Sequence, residues 1–302
     1  MRRKQTFFTA LPFLLPSLIG MIIFVFIPIT ASFFLSMTGW SGMTRVSIFS
    51  GFFEFIRSNF IGFANYSEIF ARGDIWRVLG NNLYFIVLYI PLMLTFSLLV
   101  ASIMSAERKG TGVYRVIYYI PVLTSWVAGA LIWQWLLSPV YGPINNILAF
   151  VGIEGPLWLH STAWAMPSIA FASVWKDIGF FGMIFLGGLL GISPEYYEAA
   201  KIDGAGPFHR LLYVTIPLLS PITFYVVMIA MISSFQLFPQ VMIMTGGGPL
   251  GATEVMVERI YRYAFSFGRM GYATALSWIL FVVIFTFTVI QNVAQKKWVH
   301  YD

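Results

Sequence analysis

Six long, mostly apolar stretches set the rhythm of this chain: residues 11–37, 79–105, 115–137, 163–191, 211–239 and 272–294. A helix rises about 1.5 Å per residue, so about 20 apolar residues cross a hydrocarbon layer about 30 Å thick. The pattern predicts an all-α, polytopic membrane protein with six transmembrane helices. Pro12, Pro16, Pro28, Pro91, Pro121, Pro167, Pro217 and Pro221 fall within or beside these runs. Lipid-embedded helices tolerate them where neighbours satisfy the freed carbonyls. The first run follows Arg2, Arg3 and Lys4, as a signal peptide would. It is too long for a signal core and lacks a small-residue cleavage site, so it is expected to remain as a span.

The polar stretches between the runs carry their own signals. Residues 39–78 form the longest, with a short amphipathic helix expected near 50–59 and a second, lying on the membrane, over 65–77. Residues 138–161 are rich in Pro, Gly and Asn and hold no Lys or Arg, and residues 246–249 read as a glycine–proline turn. No solenoid repeat is evident, and the chain reads as a single domain over 1–302.

The most specific segment is 193–221, a charged island between two uncharged runs. Ser193 suits a helix N-cap, Pro194 the first turn and Glu195 the positive helix start. Lys201 complements the other end, and Gly204 suits a left-handed stop. A short helix over 194–203 follows.

Composition agrees with a lipid environment: 59% hydrophobic residues, 10% charged and a mean hydropathy of +0.80, against about 25% charged in soluble chains. The net charge of +6 comes from basic residues scattered at span ends, so nucleic acid is not the expected partner. An even number of crossings puts both termini on one side. The short, dense pairs Arg108-Lys109 and Lys296-Lys297 lie close to span ends, which assigns both termini and the loop at 190–210 to the cytoplasm.

Several chemistries are excluded. No lysine is followed by Ser or Thr, so there is no phosphate-binding P-loop, and neither a Gly-x-Ser-x-Gly elbow nor a His-Glu-x-x-His pair occurs. His160, His209 and His300 are dispersed, and the chain has no cysteine. No catalytic or metal site is expected, and any energy must come from a partner.

Glu198-Ala199-Ala200, three residues, Gly204, nine residues, Val214, one residue and Ile216-Pro217 resemble the "EAA" loop in membrane subunits of binding-protein-dependent ATP-binding cassette importers. Val214 and Ile216 stand where that pattern has Ile and Leu. Asp203-Gly204-Ala205 and the later Thr245-Gly246-Gly247-Gly248-Pro249 look like the carbohydrate-uptake branch, with maltose-type and glycerol-phosphate-type permeases. Phe60 to Tyr66 and Val174-Trp175-Lys176 extend the likeness. The resemblance implies a type I importer permease fold, with a core over 79–294 and an additional N-terminal helix at 11–37. It implies that the loop docks on an ATPase subunit through Glu198, Ala199, Ala200, Asp203, Gly204 and Pro217. It also implies a second permease, two ATPase subunits holding ATP and Mg, and an extracytoplasmic solute-binding protein. No cofactor is expected on this chain. A sugar or oligosaccharide is the expected cargo; glycerol-3-phosphate or a polyol is the alternative. An ion-coupled secondary transporter and a non-transporting scaffold are the remaining classes.

For the solute path, Trp175, Lys176 and Gln236 are the candidates. Lys176 and Asp177 lie about 27 Å of helix before Ser193, which suggests the external end of the fourth span and a snorkelling pair in preference to substrate contact. Trp126, Trp133, Trp135, Trp175 and Phe238 are potential sugar platforms. Gln134 and Gln236 need polar partners, and Asn81 and Asn82 are expected near the external entrance of the second span.

Overall fold

The computed structural model describes residues 2–43, 51–105 and 110–299. The pair Arg108-Lys109 and His300 lie outside the described residues. Within them the architecture is helical, apart from one antiparallel bridge between Thr38 and Phe60.

Four helices are long and apolar enough to cross a membrane unbroken: Pro12–Ser36, Ile75–Ser105, Ala165–Gly191 and Met270–Lys297. Two of the expected spans are instead bent pairs. Gly112–Leu123 meets Trp126–Leu136 at 98°, and Pro207–Leu218 meets Ser220–Phe235 at 67°. Counting each pair as one crossing gives six. The second bend follows from Pro217 and Pro221, each of which removes an amide donor from the ladder, and from a π-helical turn at Leu211–Thr215 just before them.

The chain divides into two compact units, residues 1–75 with 259–281 and residues 76–258 with 282–302. In the first, the helix expected over 65–77 stops at Arg72, where Gly73 takes a left-handed conformation with φ of 71°. Its inner face, Asn65 and Ile69, is buried in protein. The Asn65 amide donates to the carbonyls of Ser36 (2.8 Å) and Thr38 (2.9 Å), closing the end of the first span. The amphipathic helix expected near 50–59 is present as Phe52–Asn59, with Phe52 and Ile56 buried. Gly271 lies directly on the Thr38 carbonyl, where a Cβ would overlap it. Arg259 pairs with Asp74.

Glu68 holds this unit's ion cluster. Arg269 donates to both of its carboxylate oxygens, at 2.8 and 2.5 Å, and Arg72 reaches it at 2.7 Å. The Arg269 hydrogen bonds hold the carboxyl below its ordinary pKa; burial opposes them, and the charges of Arg269 and Arg72 add to the lowering. A depressed carboxyl pKa contributes stability above the unfolded value of 4.5, and that contribution is lost as pH falls through the lower folded value.

In the second unit the third span's first half rests on the fourth span. Gly179 permits this, since a Cβ there would overlap the Tyr118 carbonyl. The half-helix Thr111–Leu123 then ends in an extended Thr124, and Ser125 restarts the chain as an N-cap, its hydroxyl accepting from the Ala128 amide at 3.2 Å. The carbonyls freed by the break have a dedicated partner. The Lys176 ammonium, from the fourth span, donates to Pro121 O (3.0 Å), Val122 O (3.2 Å) and Thr124 O (2.6 Å). It also lies 5.4 Å from the centre of the Trp126 ring.

Lys176 therefore does not snorkel. The fourth span begins at Ala165, so Lys176 and Asp177 lie near its middle, and the lysine is buried in protein. Its charge stabilises the negative end of a half-helix and satisfies three acceptors that the bend exposes.

Two outcomes are expected. Lys176→Met retains the stem but leaves Val122 O and Thr124 O without this donor, while Pro121 O keeps the Thr124 amide and hydroxyl. It should lower stability by about 1–3 kcal/mol, read as a drop in the thermal midpoint of the purified protein in detergent. An unchanged midpoint would remove this role. On lowering the pH from about 6 to about 4, the wild type should lose midpoint more steeply than Glu68→Gln, whose side chain does not titrate; parallel curves would count against the Glu68 cluster.

Candidate functional site

Two features of the second unit stand out as sites: an exposed helix after the fourth span and a polar cavity halfway along the spans.

The helix runs from Pro194 to Ile202, with Glu195 in its first turn and Lys201 in its last. Ser193 occupies the N-cap position with extended backbone, but its hydroxyl makes no capping bond. The other end is closed in full. Asp203 is the C-cap and Gly204 is left-handed, with φ of 79°. The Gly204 amide donates to Lys201 O (3.1 Å) and the Ala205 amide to Ala200 O (2.9 Å). This paired arrangement is the Schellman motif, which turns the chain sharply.

No residue of the helix is buried. Glu198 and Ala199 are exposed and Ala200 is half-buried. Ile202 is 86% exposed, and Phe208 and Tyr213 just beyond it are 67% and 73% exposed. The Tyr197 hydroxyl lies 3.2 Å from Thr215 Oγ1, two residues before Pro217. One helix thus combines a small-residue face, a carboxylate and an apolar rim, fastened by Tyr197 to the fifth span's bent start.

The cavity has a volume of about 350 Å³, in the range of small-molecule sites. Its polar lining comes from Tyr89 of the second span, Trp126 at the break, Ser173 and Asp177 of the fourth span, and Ser233, Ser234, Gln236 and Gln240 at the end of the fifth. Phe85, Phe180 and Phe181 add aromatic faces. The Tyr89 hydroxyl donates to Asp177 Oδ2 at 2.7 Å. Gln236 is exposed where the Ser220–Phe235 helix ends. Gln240 Oε1 is buried without a partner among the described residues.

Of the three path candidates from sequence, the structure puts only Gln236 in this cavity. Lys176 is committed to the carbonyls of the break. Trp175 lies against Gly129 and edge-on to Trp133, with ring centres 5.8 Å apart. Of the aromatic platforms, Trp126 lines the cavity, while Trp133 lines a separate apolar one of about 350 Å³ with Trp158 and Trp164. Gln134 donates to Ile243 O at 3.5 Å. Asn81 and Asn82 are consumed by the chain: Asn81 donates to Gly251 O and Glu254 O, and Asn82 donates to Ser234 O and accepts from the Met256 amide.

Tyr89, Ser173, Ser233 and Gln240 are not singled out by the sequence, and for Asp177 the interfacial reading is preferred there to substrate contact. A signal was present: Ser173 and Asp177 are four apart on one helix face. Ser233, Gln236 and Gln240 repeat at similar spacing, although the helix ends among them.

Comparison with known proteins identifies the family. The family model described as "Binding-protein-dependent transport system inner membrane component" matches residues 60–300. The chain is 34% identical to the probable ABC transporter permease protein YesP of Bacillus subtilis over 96% of its own length and 91% of that protein's. It is 30% identical to the trehalose/maltose transport system permease protein MalF of Thermococcus litoralis, covering 92% of this chain and 90% of that one. A solved bacterial ABC transporter involved in import of the acidic polysaccharide alginate has a subunit of the same fold, with a TM-score of 0.79 and 22% identity over 98% of this chain and 99% of that one. The chain is a membrane subunit of a transport system and not itself an enzyme, and it belongs to the binding-protein-dependent transport system inner membrane component family.

Proposed function

We propose that this chain is a permease subunit of an ATP-driven importer. With a second related permease it forms a path for a sugar or oligosaccharide handed over by an extracytoplasmic solute-binding protein. The trehalose/maltose permease among its relatives supports the sugar class. A solved alginate transporter, of which one chain matches this one with a TM-score of 0.76, was captured with a pentasaccharide-bound periplasmic protein, which supports the binding-protein partner.

ATP and Mg reside on two partner ATPase subunits, and this chain binds no cofactor. The helix Pro194–Ile202 lies on the cytoplasmic side together with both termini. Glu198 makes the polar contact with the ATPase, Ala199 and Ala200 let the two surfaces approach, and Asp203 and Gly204 turn the chain back toward Pro217 and the fifth span. ATPase closure and separation tilt the spans, and the mid-span cavity opens to alternate faces.

The observation that carries this reading is the exposed helix between the fourth and fifth spans, closed at its C-terminal end by a Schellman turn. A helix with no buried residue gains little from its own chain, so a partner surface accounts for its exposed face. Gly204→Val tests it. Open space surrounds the Gly204 Cβ position, so the only penalty is the left-handed backbone, about 1–2 kcal/mol for a residue with a side chain. The variant should insert at wild-type levels while ATP-coupled uptake in proteoliposomes falls about tenfold, the loss expected when the distorted turn weakens docking of the helix by about 1.4 kcal/mol. Wild-type coupling in well-inserted Gly204→Val protein would defeat the assignment.

A further inference from the structure

We propose that the mid-span cavity selects neutral or cationic saccharides over anionic ones, and that Asp177 is the residue that discriminates. The proposal rests on the cavity being part of the solute path and adds the charge of the cargo to that reading.

Consecutive helical residues point about 100° apart, so Lys176 and Asp177 leave the fourth span in different directions. Lys176 is taken up by the three carbonyls of the broken third span and does not line the cavity. Asp177 does line it, with one carboxylate oxygen accepting from Tyr89. Among the described residues no Lys, Arg or His joins the lining. The ammonium is thus held by backbone carbonyls behind the lining, beside Trp126, and the carboxylate is the charged group left in it.

The remaining polar groups are hydroxyls and carboxamides, which suit sugar hydroxyls. Asp177 accepts hydroxyl hydrogens in charge-assisted bonds, and Trp126 offers a face for the apolar side of a ring. A uronate or phosphate entering here loses water beside a fixed carboxylate with no counter-charge in this lining. An ammonium, as on an amino sugar, is favoured. This argues against the glycerol-3-phosphate alternative. It also separates the chain from the alginate transporter, whose fold it shares at 22% identity.

The absence of cysteine from the chain permits a direct measurement. Ser233 lines the cavity and is exposed, so Ser233→Cys in the intact transporter, reconstituted in nanodiscs with its partners, is a reporter thiol. The same assembly without the added cysteine supplies the background. The rates of reaction with cationic trimethylammonioethyl and anionic sulfonatoethyl methanethiosulfonate are compared, each normalised to a free small thiol. The cationic reagent should be favoured about tenfold or more, as expected for a charged, low-dielectric cleft. Adding Asp177→Asn should bring the ratio close to that of the free thiol.

A wild-type ratio at or below the free-thiol value overturns the proposal. So does a ratio insensitive to Asp177→Asn, or no labelling by either reagent, which would mean that solutes do not reach the cavity. In ATP-dependent uptake, transport of sn-glycerol 3-phosphate or an alginate trisaccharide as fast as trehalose would overturn it equally. Failure of the importer reading looks different: no uptake of any solute with the binding protein and ATP present, whatever the labelling ratio, and the cargo proposal falls with it.

Discussion

A lysine in the middle of a membrane span must find oxygen atoms, because hydrocarbon offers none and a bare ammonium there is costly. Lys176 finds three of them in the backbone of a neighbouring helix. Each side of that bargain would be unstable alone. The break after Leu123 exposes carbonyls that a continuous helix would have used, and the lysine sits in the wrong solvent. Together they fix the position where the third span turns by 98°. Trp126, the first residue after the turn, is held beside the ammonium and at the cavity wall. Asp177, one residue along the fourth span, is left to meet Tyr89 and the cavity.

The same rule, that every buried backbone polar group needs a partner, explains where the other polar side chains went. Asn65 closes the end of the first span, Asn82 bridges the fifth span and the segment that begins at Met256, and Asn81 ties down the loop after the glycine–proline turn. These are polar residues at span ends that stitch chain to chain. The helix Pro194–Ile202 obeys the rule differently, since its C-terminal carbonyls are paired by its own turn. Glu198 and Ala199 on its outer face remain exposed.

Much of this was legible in the sequence because the signals were local. Apolar runs of sufficient length gave the crossings, and proline, glycine and the order of charges gave the short helix with its left-handed stop at Gly204. The family pattern around Glu198 to Pro217 led to the same family as the match over residues 60–300. The bends were less legible. Pro121 marks a weak point, but the turn after Leu123 is sustained by a lysine more than fifty residues away that supplies donors to Val122 O and Thr124 O, and a linear reading has no access to that pairing. Lys176 and Asp177 were misplaced for a related reason. Counting back from Ser193 measures distance from one face only, whereas the run over 163–191, matched by the helix Ala165–Gly191, puts both residues near its middle. The cavity escaped notice because its walls come from three spans and a break, each contributing one to four ordinary polar residues.

The arrangement also bears on how a stroke at the membrane surface would reach the cargo. The helix Pro194–Ile202 joins two spans, and both lead to the cavity. The fourth span continues from Gly191 back to Asp177 and Ser173 as one unbroken helix, about 21 Å from Gly191 to Asp177. It is a stiff rod. The fifth begins with a π-helical turn at Leu211–Thr215, carries Pro217 and Pro221, and bends by 67° before it reaches Ser233 and Gln236. It is jointed, and the Tyr197–Thr215 contact sits at that joint. A rigid strut and a hinged one driven from a common lever do not move in parallel. On the proposed reading, displacing the helix Pro194–Ile202 would shift the wall bearing Ser233, Gln236 and Gln240 relative to the wall bearing Asp177. In the proposed mechanism, a sugar bound between the two polar walls would lose its simultaneous hydrogen bonds as they separate, which would give a reason for release.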